Sequence, residues 1–442
     1  MERTITQRLL EWKSSPWRKP LILMGARQVG KTYSLKEFGK KYYEHLAYIN
    51  CDDDDRVRDL FVANYDMQRI LLTIGALTGV PIIPGKTLIF LDEIQALPRG
   101  LGSLKYFNEN APQYHVAVAG SLLGIALNPG ESFPVGKVDM LRMFPMTFNE
   151  FLLSKGNRPL HDALVSCDWL TINALRPMLN NILREYYFVG GMPEVVSLFL
   201  KSNDAVTVRR AQQNILEAYE RDMSKHAPTD QVPRIHQVWN SMPSQLAKEN
   251  KKFIYGVIKS GGRAKEFELA IQWLVDAGLV FKVPRISTPK LSLKFYEDIS
   301  SFKLFVLDCG LYGALAQTPP EQLLMPNAME ESKGAFTENY VASQLHAIDS
   351  VYTYYYSKLN SPMEIDFVVQ CGSRIIPIEV KSEENLKSKS LKLFVEEHEL
   401  YGLRMSMSEY NKHDWMENIP LFACQAYMQR LVKDEQSKMN CT

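Results

Sequence analysis

Two groups of residues in this chain have the types and spacing for chemistry. The first begins with Gly25-Ala26-Arg27-Gln28-Val29-Gly30-Lys31-Thr32, which satisfies G-x-x-x-x-G-K-[ST] at every fixed position. Backbone N–H groups of such a loop, with the first turn of the helix behind it, point at the phosphates of a nucleotide. Lys31 reaches the β- and γ-phosphates and the Thr32 hydroxyl ligates Mg²⁺. About sixty residues on, Leu88-Ile89-Phe90-Leu91 runs into Asp92-Glu93, where Asp92 would hold Mg²⁺ through water and Glu93 would polarise the attacking water as general base. Ser121, after Val116-Ala117-Val118-Ala119-Gly120, is placed either as a polar residue between the acidic strand and the γ-phosphate or as a helix N-cap.

The second group lies near the C-terminus. Asp366 sits on one apolar run, Cys371-Gly372-Ser373 reads as a turn, and Glu379-Val380-Lys381 ends the returning run. Strand alternation puts Glu379 and Lys381 on one face, and folding about the turn brings Asp366 opposite Glu379 to within about a residue. Two acids and a lysine so placed have the chemistry for Mg²⁺-assisted phosphodiester hydrolysis, with Lys381 orienting water or stabilising developing charge. Glu338, in the helical stretch Phe336 to Val341, would supply a third acid, and Lys387, Lys389 and Lys392 a basic flank for a phosphate backbone.

These residues need elements to hold them. Leu21-Ile22-Leu23-Met24 reads as a short buried parallel strand and Thr32 to Lys40 as the helix after the loop. After Met143 to Leu152 the chain turns helical, punctuated by Gly190-Gly191-Met192-Pro193-Glu194, which suits a helical lid; Arg209, Arg210 and Arg221 there are candidates for nucleotide sensing. Phe253 to Val283 gives helix, turn, helix and apolar strand, the order of a winged helix, whose second helix either enters a DNA groove or mediates domain contacts. That helix carries charges of both signs at Lys265, Glu266, Glu268 and Asp276, which weakens the DNA reading.

At 442 residues the chain is too long for one core. Its 46% hydrophobic and 23% charged content is globular, and a net charge of +1 confines any nucleic-acid surface to a local patch. The N-terminus lacks a signal-peptide core, and the longest apolar stretch, Ile70 to Ile83, is broken by Gly75, Gly79 and Pro81. We expect a cytoplasmic protein with no membrane partner. Six cysteines form no C-x-x-C pair and read as reduced core thiols. The acidic strand lacks the glycine of D-x-x-G, so ATP is preferred over GTP. Asn411-Lys412-His413-Asp414 matches the guanine-reading N-K-x-D pattern but has no apolar strand leading into it. Asp52 to Asp55 precede Val57, Leu60 and Phe61 at helical spacing and read as a charged first helical turn, not a metal site.

Taken together, the chain resembles a prokaryotic family of AAA-like ATPases whose C-terminal half is a domain of unknown function related to the PD-(D/E)XK nucleases. The matching segments are Gly25 to Thr32, Leu88 to Gln95, Gly120-Ser121, Phe144 to Leu152, Gly190 to Glu194, Tyr219 to Met223, Trp273 to Val280, Leu307 to Leu311, Gly334 to Leu345 and Glu364 to Lys381. The resemblance implies ATP at Gly30, Lys31 and Thr32, metal and water activation at Asp92 and Glu93, and a nuclease-like site at Glu338, Asp366, Glu379 and Lys381, with the three acids as metal ligands. Gly136-Lys137 departs from the family's Gly-Arg, and lysine cannot reproduce an arginine fork; Cys309 replaces a small hydroxyl residue.

The expected architecture is α/β. It comprises an AAA-like P-loop parallel sheet over 1–155, a helical lid over 156–250, a winged-helix-like segment over 251–318 and a restriction-endonuclease-like α/β domain over 319–442. The expected function is a Mg²⁺-dependent ATPase that switches or powers a C-terminal domain binding DNA or RNA, with nuclease activity left open. The alternative is a non-cutting switch whose C-terminal domain only binds DNA or a protein partner. Homo-oligomers are compatible with either.

Overall fold

The computed structural model describes residues 1–53, 55–121, 133–248, 252–325, 333–358, 361, 363–382 and 387–440, and the side chains of residues 55, 121, 439 and 440 lie outside that description. The chain divides into two compact units, residues 2–144 with 276–278, and residues 1, 145–275 and 279–442.

The first unit is built on five short strands: β1 (Leu21–Gly25), β2 (His45–Asn50), β3 (Thr87–Asp92), β4 (His115–Ser121) and β5 (Asp139–Arg142). They lie in the order β2-β3-β4-β1-β5, and every pairing is parallel. β1 and β3 are buried at every position, so both faces of the sheet must be covered. Alternation sends Ala47, Ile49, Ile89 and Leu91 to one face, into a core shared with Ile70 and Ile74 of the helix Met67–Thr78 and Leu104 and Phe107 of the helix Gly100–Asn110. Leu46 and Leu88 point the other way, and there the helix Lys31–Tyr42 comes so close that a Cβ on its Gly39 would lie 2.6 Å from Leu46. β4 lies between β1 and β3, so the carboxyl ends that carry the phosphate loop and the acidic pair flank a third strand. In such sheets ligands bind outside the carboxyl ends.

The second unit has a helical part and a mixed sheet of eight strands. These are β6 (Val280–Ile286), β7 (Glu297–Val306), β8 (Tyr352–Ser357), β9 (Glu364–Cys371), β10 (Arg374–Val380), β11 (Gly402–Ser406), β12 (Asn411–Lys412) and β13 (Met416–Pro420), in the order β12-β13-β11-β10-β9-β8-β6-β7. The helices Tyr255–Ile258 and Ala264–Asp276 precede the antiparallel hairpin β6–β7 in the expected order. That hairpin is not separate from the C-terminal strands, because β6 also pairs in parallel with β8. The expected boundary between 318 and 319 therefore runs through one hydrogen-bonded sheet. A local pattern marks a strand but not its distant partner, which is why the segmentation missed this.

The helices expected as a lid also pack within the second unit, where Arg176–Val189 and Ala205–His226 lie against the helix Cys309–Leu315. A polar joint ties them. Gly190 has φ +74°, and a Cβ there would lie 2.2 Å from Asp308 Oδ1. The Asp308 carboxylate accepts hydrogen bonds from the N–H groups of Gly191 (2.6 Å) and Leu311 (2.8 Å), and Gly191 O accepts one from Met146 N (2.6 Å). Burial pushes the Asp308 carboxyl up to about 6 despite these bonds. Nearby, the helix Phe148–Ser154 opens with a capping box between Thr147 and Glu150, and Phe148 N donates to Gln344 Oε1 (3.0 Å). Four segments that carry the family resemblance thus meet at one joint. The first unit ends before it, at residue 144 instead of 155.

Smaller expectations resolve locally. Asp55–Val57 is a single 3₁₀ turn, shorter than the helical start expected for the acidic run, and Asp54 lies outside the described residues. Asn411 and Lys412 form an exposed two-residue strand beside β13. The five described cysteines are buried free thiols. No described helix is long and apolar enough to cross a membrane.

Candidate functional site

The phosphate loop leaves β1 at Gly25 and enters its helix at Lys31. Two positions take left-handed backbone, Gln28 at φ +66° and Gly30 at φ +95°, and the latter is where glycine is needed. A Cβ at Gly25 would fall 2.3 Å from Met143 O, so the loop's first glycine is required by the backbone beside it. Arg3 braces the loop from outside: its guanidinium donates to Val29 O (3.0 Å) and Phe144 O (2.7 Å). Arg27 and Gln28 are exposed, while Ala26 and Val29 are buried.

Lys31 is only 7% exposed, and its Nζ donates to the loop carbonyls of Gly25 (3.0 Å) and Ala26 (2.8 Å). Burial pulls its pKa down to about 8, against the pull of Glu93 and Asp92. Asp92 ends β3, with its neighbours Asn50 and Ala119 on either side. Burial raises its carboxyl, partly offset by a hydrogen bond from the Thr32 hydroxyl, and Tyr48 OH donates to Oδ2 at 3.4 Å. Asp92 Oδ1 is buried with no hydrogen-bond partner, and a buried orphan acceptor beside a threonine hydroxyl is a fit for Mg²⁺. Glu93 continues the ladder through its N–H to Ala119 O (2.9 Å) but takes φ +53°, and its carboxylate accepts from Gln95 Nε2. Left-handed backbone is costly for a non-glycine residue, so the packing around the end of β3 must hold Glu93 in place. Ser121 is the last residue of β4, paired with Gly25; its side chain lies outside the described residues.

The C-terminal acids are arranged differently. β9 and β10 form the expected antiparallel hairpin, with Gly372 at φ +58° in the turn. Its last pair is Phe367 with Ile378, which leaves Asp366 and Glu379 as the next residue on each strand. Asp366 Oδ2 accepts from Val380 N at 2.8 Å, and Lys381 Nζ lies 2.9 Å from Glu379 Oε1. Glu338 comes from the helix Lys333–His346. Into this cluster β7 inserts Lys303, whose side chain is 1% exposed and whose Nζ lies 2.6 Å from Glu364 Oε1 and 3.8 Å from Glu338 Oε2. Burial works against its charge, but Glu338, Glu364 and Asp366 outweigh it and raise the pKa above the ordinary lysine value. Among the described residues no three Asp, Glu, His or Cys side chains are grouped to hold a metal ion. The expected ligand set Glu338, Asp366 and Glu379 is therefore not assembled, because a lysine, a backbone N–H and Lys381 take up these carboxylates.

Lys303 and Glu364 were missed from sequence. The available signal was a lysine in the otherwise apolar run Phe302 to Leu307. Other candidates are engaged: Arg209 donates to Thr318 O (2.8 Å) over the Phe188 ring, Arg221 pairs with Glu217 (3.7 Å) on an exposed helix face, and Lys137 pairs with Glu109 (2.9 Å). Lys387, Lys389 and Lys392 are exposed, and Lys392 pairs with Glu396 (3.8 Å).

Residues 17–152 match the family model described as an AAA domain. That match falls on the parallel sheet and phosphate loop of the first unit. Residues 180–322 and 333–424 match two domains of unknown function, DUF8612 and DUF4143. No curated protein matches. Similar solved structures include the Walker-type ATPase PABY2304 of Pyrococcus abyssi, at 14% identity and TM-score 0.45, covering 71% of this chain and 95% of that one. The Orc1 protein of Aeropyrum pernix in complex with DNA shows 14% identity, TM-score 0.26 and coverage of 72% and 93%. The RuvB Holliday junction branch migration motor of Thermotoga maritima shows 12%, 0.30, and 64% and 90%.

Proposed function

We propose that this chain is a Mg²⁺-dependent ATPase whose nucleotide cycle switches a second unit that binds nucleic acid. The observation that carries the ATPase reading is the buried, unpartnered Asp92 Oδ1 beside the Thr32 hydroxyl and near Lys31. Loop N–H groups from Gly25 to Thr32 and the start of the helix orient the phosphates, and Lys31 exchanges two carbonyl partners for phosphate oxygens. Bound Mg²⁺, held by Thr32 and through water by Asp92, would neutralise charge on the β- and γ-oxygens. Glu93 takes a proton from the attacking water, and Gln95 orients its carboxylate. Purified protein assayed for phosphate release tests this: Glu93→Gln should bind ATP and leave it uncleaved. Native turnover in that variant would remove Glu93 from the role of base.

Nucleic acid is favoured as the partner by exposed Lys387, Lys389 and Lys392, and by the winged-helix order of the helix Ala264–Asp276 and hairpin β6–β7. That helix shows Lys265, Glu268, Leu269 and Gln272 to solvent, so the lysines beyond β10 carry more of the reading. Reversing Lys389 and Lys392 to Glu should weaken DNA or RNA binding and lower its salt slope by about one for each phosphate no longer neutralised. Binding that does not vary with salt would point to a protein partner instead.

A further inference from the structure

We infer that Lys303 occupies the place a divalent cation would take among the C-terminal carboxylates, so that the second unit holds no catalytic metal there and does not cut phosphodiesters. This goes beyond the ATPase reading and is independent of it.

Each acid of the nuclease-like pattern already has a partner from the protein. Lys303 comes from β7, on the far side of β8 and β6 from the hairpin that carries the pattern, and contacts Glu364 at 2.6 Å and Glu338 at 3.8 Å. Asp366 is turned to the N–H of Val380, and Glu379 to Lys381. Arg404, beside Glu379 in the β10–β11 pairing, adds another cation acting on that carboxylate. Mg²⁺ needs close to six oxygens at about 2.0–2.1 Å in octahedral array. A buried ammonium against Glu364 and Glu338, close enough to Asp366 to feel its charge, takes up the negative charge that such an ion would require. Glu379 Oε2 is buried without a hydrogen-bond partner, and Glu338 Oε2 meets Lys303 at 3.8 Å, beyond hydrogen-bond reach, but two such oxygens beside ammonium groups do not make a coordination sphere. Lys303 also lies over the Tyr355 ring, 5.0 Å from its centroid, which fixes the ammonium in the site. A lysine so placed is an internal counter-ion.

The test uses the full chain without nucleotide, titrated with Mn²⁺ while free Mn²⁺ is counted by electron paramagnetic resonance. Native protein and Asp366→Asn should bind Mn²⁺ equally. Lys303→Ala should gain one site at least tenfold tighter than any in the native chain, and adding Asp366→Asn should remove it. Three results would each overturn the inference: native Mn²⁺ binding that Asp366→Asn abolishes, Mn²⁺- or Mg²⁺-dependent cutting of DNA or RNA that Asp366→Asn abolishes, or a folded Lys303→Ala chain with no gained site. If Lys303→Ala does not fold, the comparison of native protein with Asp366→Asn decides alone. Because no nucleotide is present, failure of the ATPase assay would leave this outcome standing.

Discussion

The two units each bury a lysine near carboxylates, and the two lysines are in opposite electrostatic states. Lys31 bonds to two neutral carbonyls, and burial drags its pKa down to about 8. Lys303 is more deeply buried, yet direct contact with Glu364 and the charges of Glu338 and Asp366 raise it. Burial alone therefore does not set the state of a lysine; the charge of its immediate partners does. Lys31 is under-compensated and suited to an anionic ligand. Lys303 is compensated by the protein itself, and an internally satisfied group has little to offer a ligand.

That contrast can be broken most forcefully at Lys303. Lys303→Met should cost about 3–5 kcal/mol, because Glu364 and Glu338 lose their buried cation, and denaturant unfolding followed in the second unit would measure it. A cost below about 1 kcal/mol would mean that the carboxylates are solvated and the lysine is not their counter-ion. At the other site Lys31→Ala should leave the fold intact and lower ATP turnover by at least about a hundredfold, as loss of a charge-stabilising donor does. Phosphate-release kinetics together with a melting curve separate the two effects. Equal destabilisation by both substitutions would erase the distinction between the two lysines.

A smaller effect sharpens the comparison. A triphosphate bound at Lys31 supplies the missing negative charge and must raise its pKa. ATP binding measured above about pH 8 should then take up a proton, approaching one per site. Calorimetry in buffers of different ionisation enthalpy reads this directly, and Lys31→Ala should lose the uptake. For Lys303 the sign is reversed: its folded pKa lies above the unfolded value, so its stabilising contribution is complete below about pH 10 and is lost only as pH rises through the folded value. Unfolding free energy of the native chain should therefore show no Lys303-dependent slope between about pH 6 and 9. A slope in that window that Lys303→Met removes would contradict the assignment.

How much of this was legible depended on how far apart in sequence the partners lie. The phosphate loop could be read because strand, loop and helix are consecutive, so the eight residues from Gly25 to Thr32 determine their own geometry. The acidic end of β3 was readable from its apolar run, and the hairpin of Asp366 and Glu379 from its turn. The strained backbone of Glu93 and the orphan oxygen of Asp92 were not, since both depend on β4 lying between β3 and β1. The Gly190-Gly191 motif was visible as punctuation only. Its reason, Asp308 pressed against it from more than a hundred residues away, belongs to packing.

The sequence by itself determined the phosphate-type loop between β1 and its helix and placed the C-terminal acids on facing strands, because both follow from local backbone periodicity and turn chemistry. Only the tertiary structure decided what those acids touch. β7 joins the sheet through β6 and carries Lys303 to carboxylates about sixty residues further along the chain at Glu364. No local pattern encodes that meeting, because the pairing of β6 with β8 that brings Lys303 there joins segments about seventy residues apart.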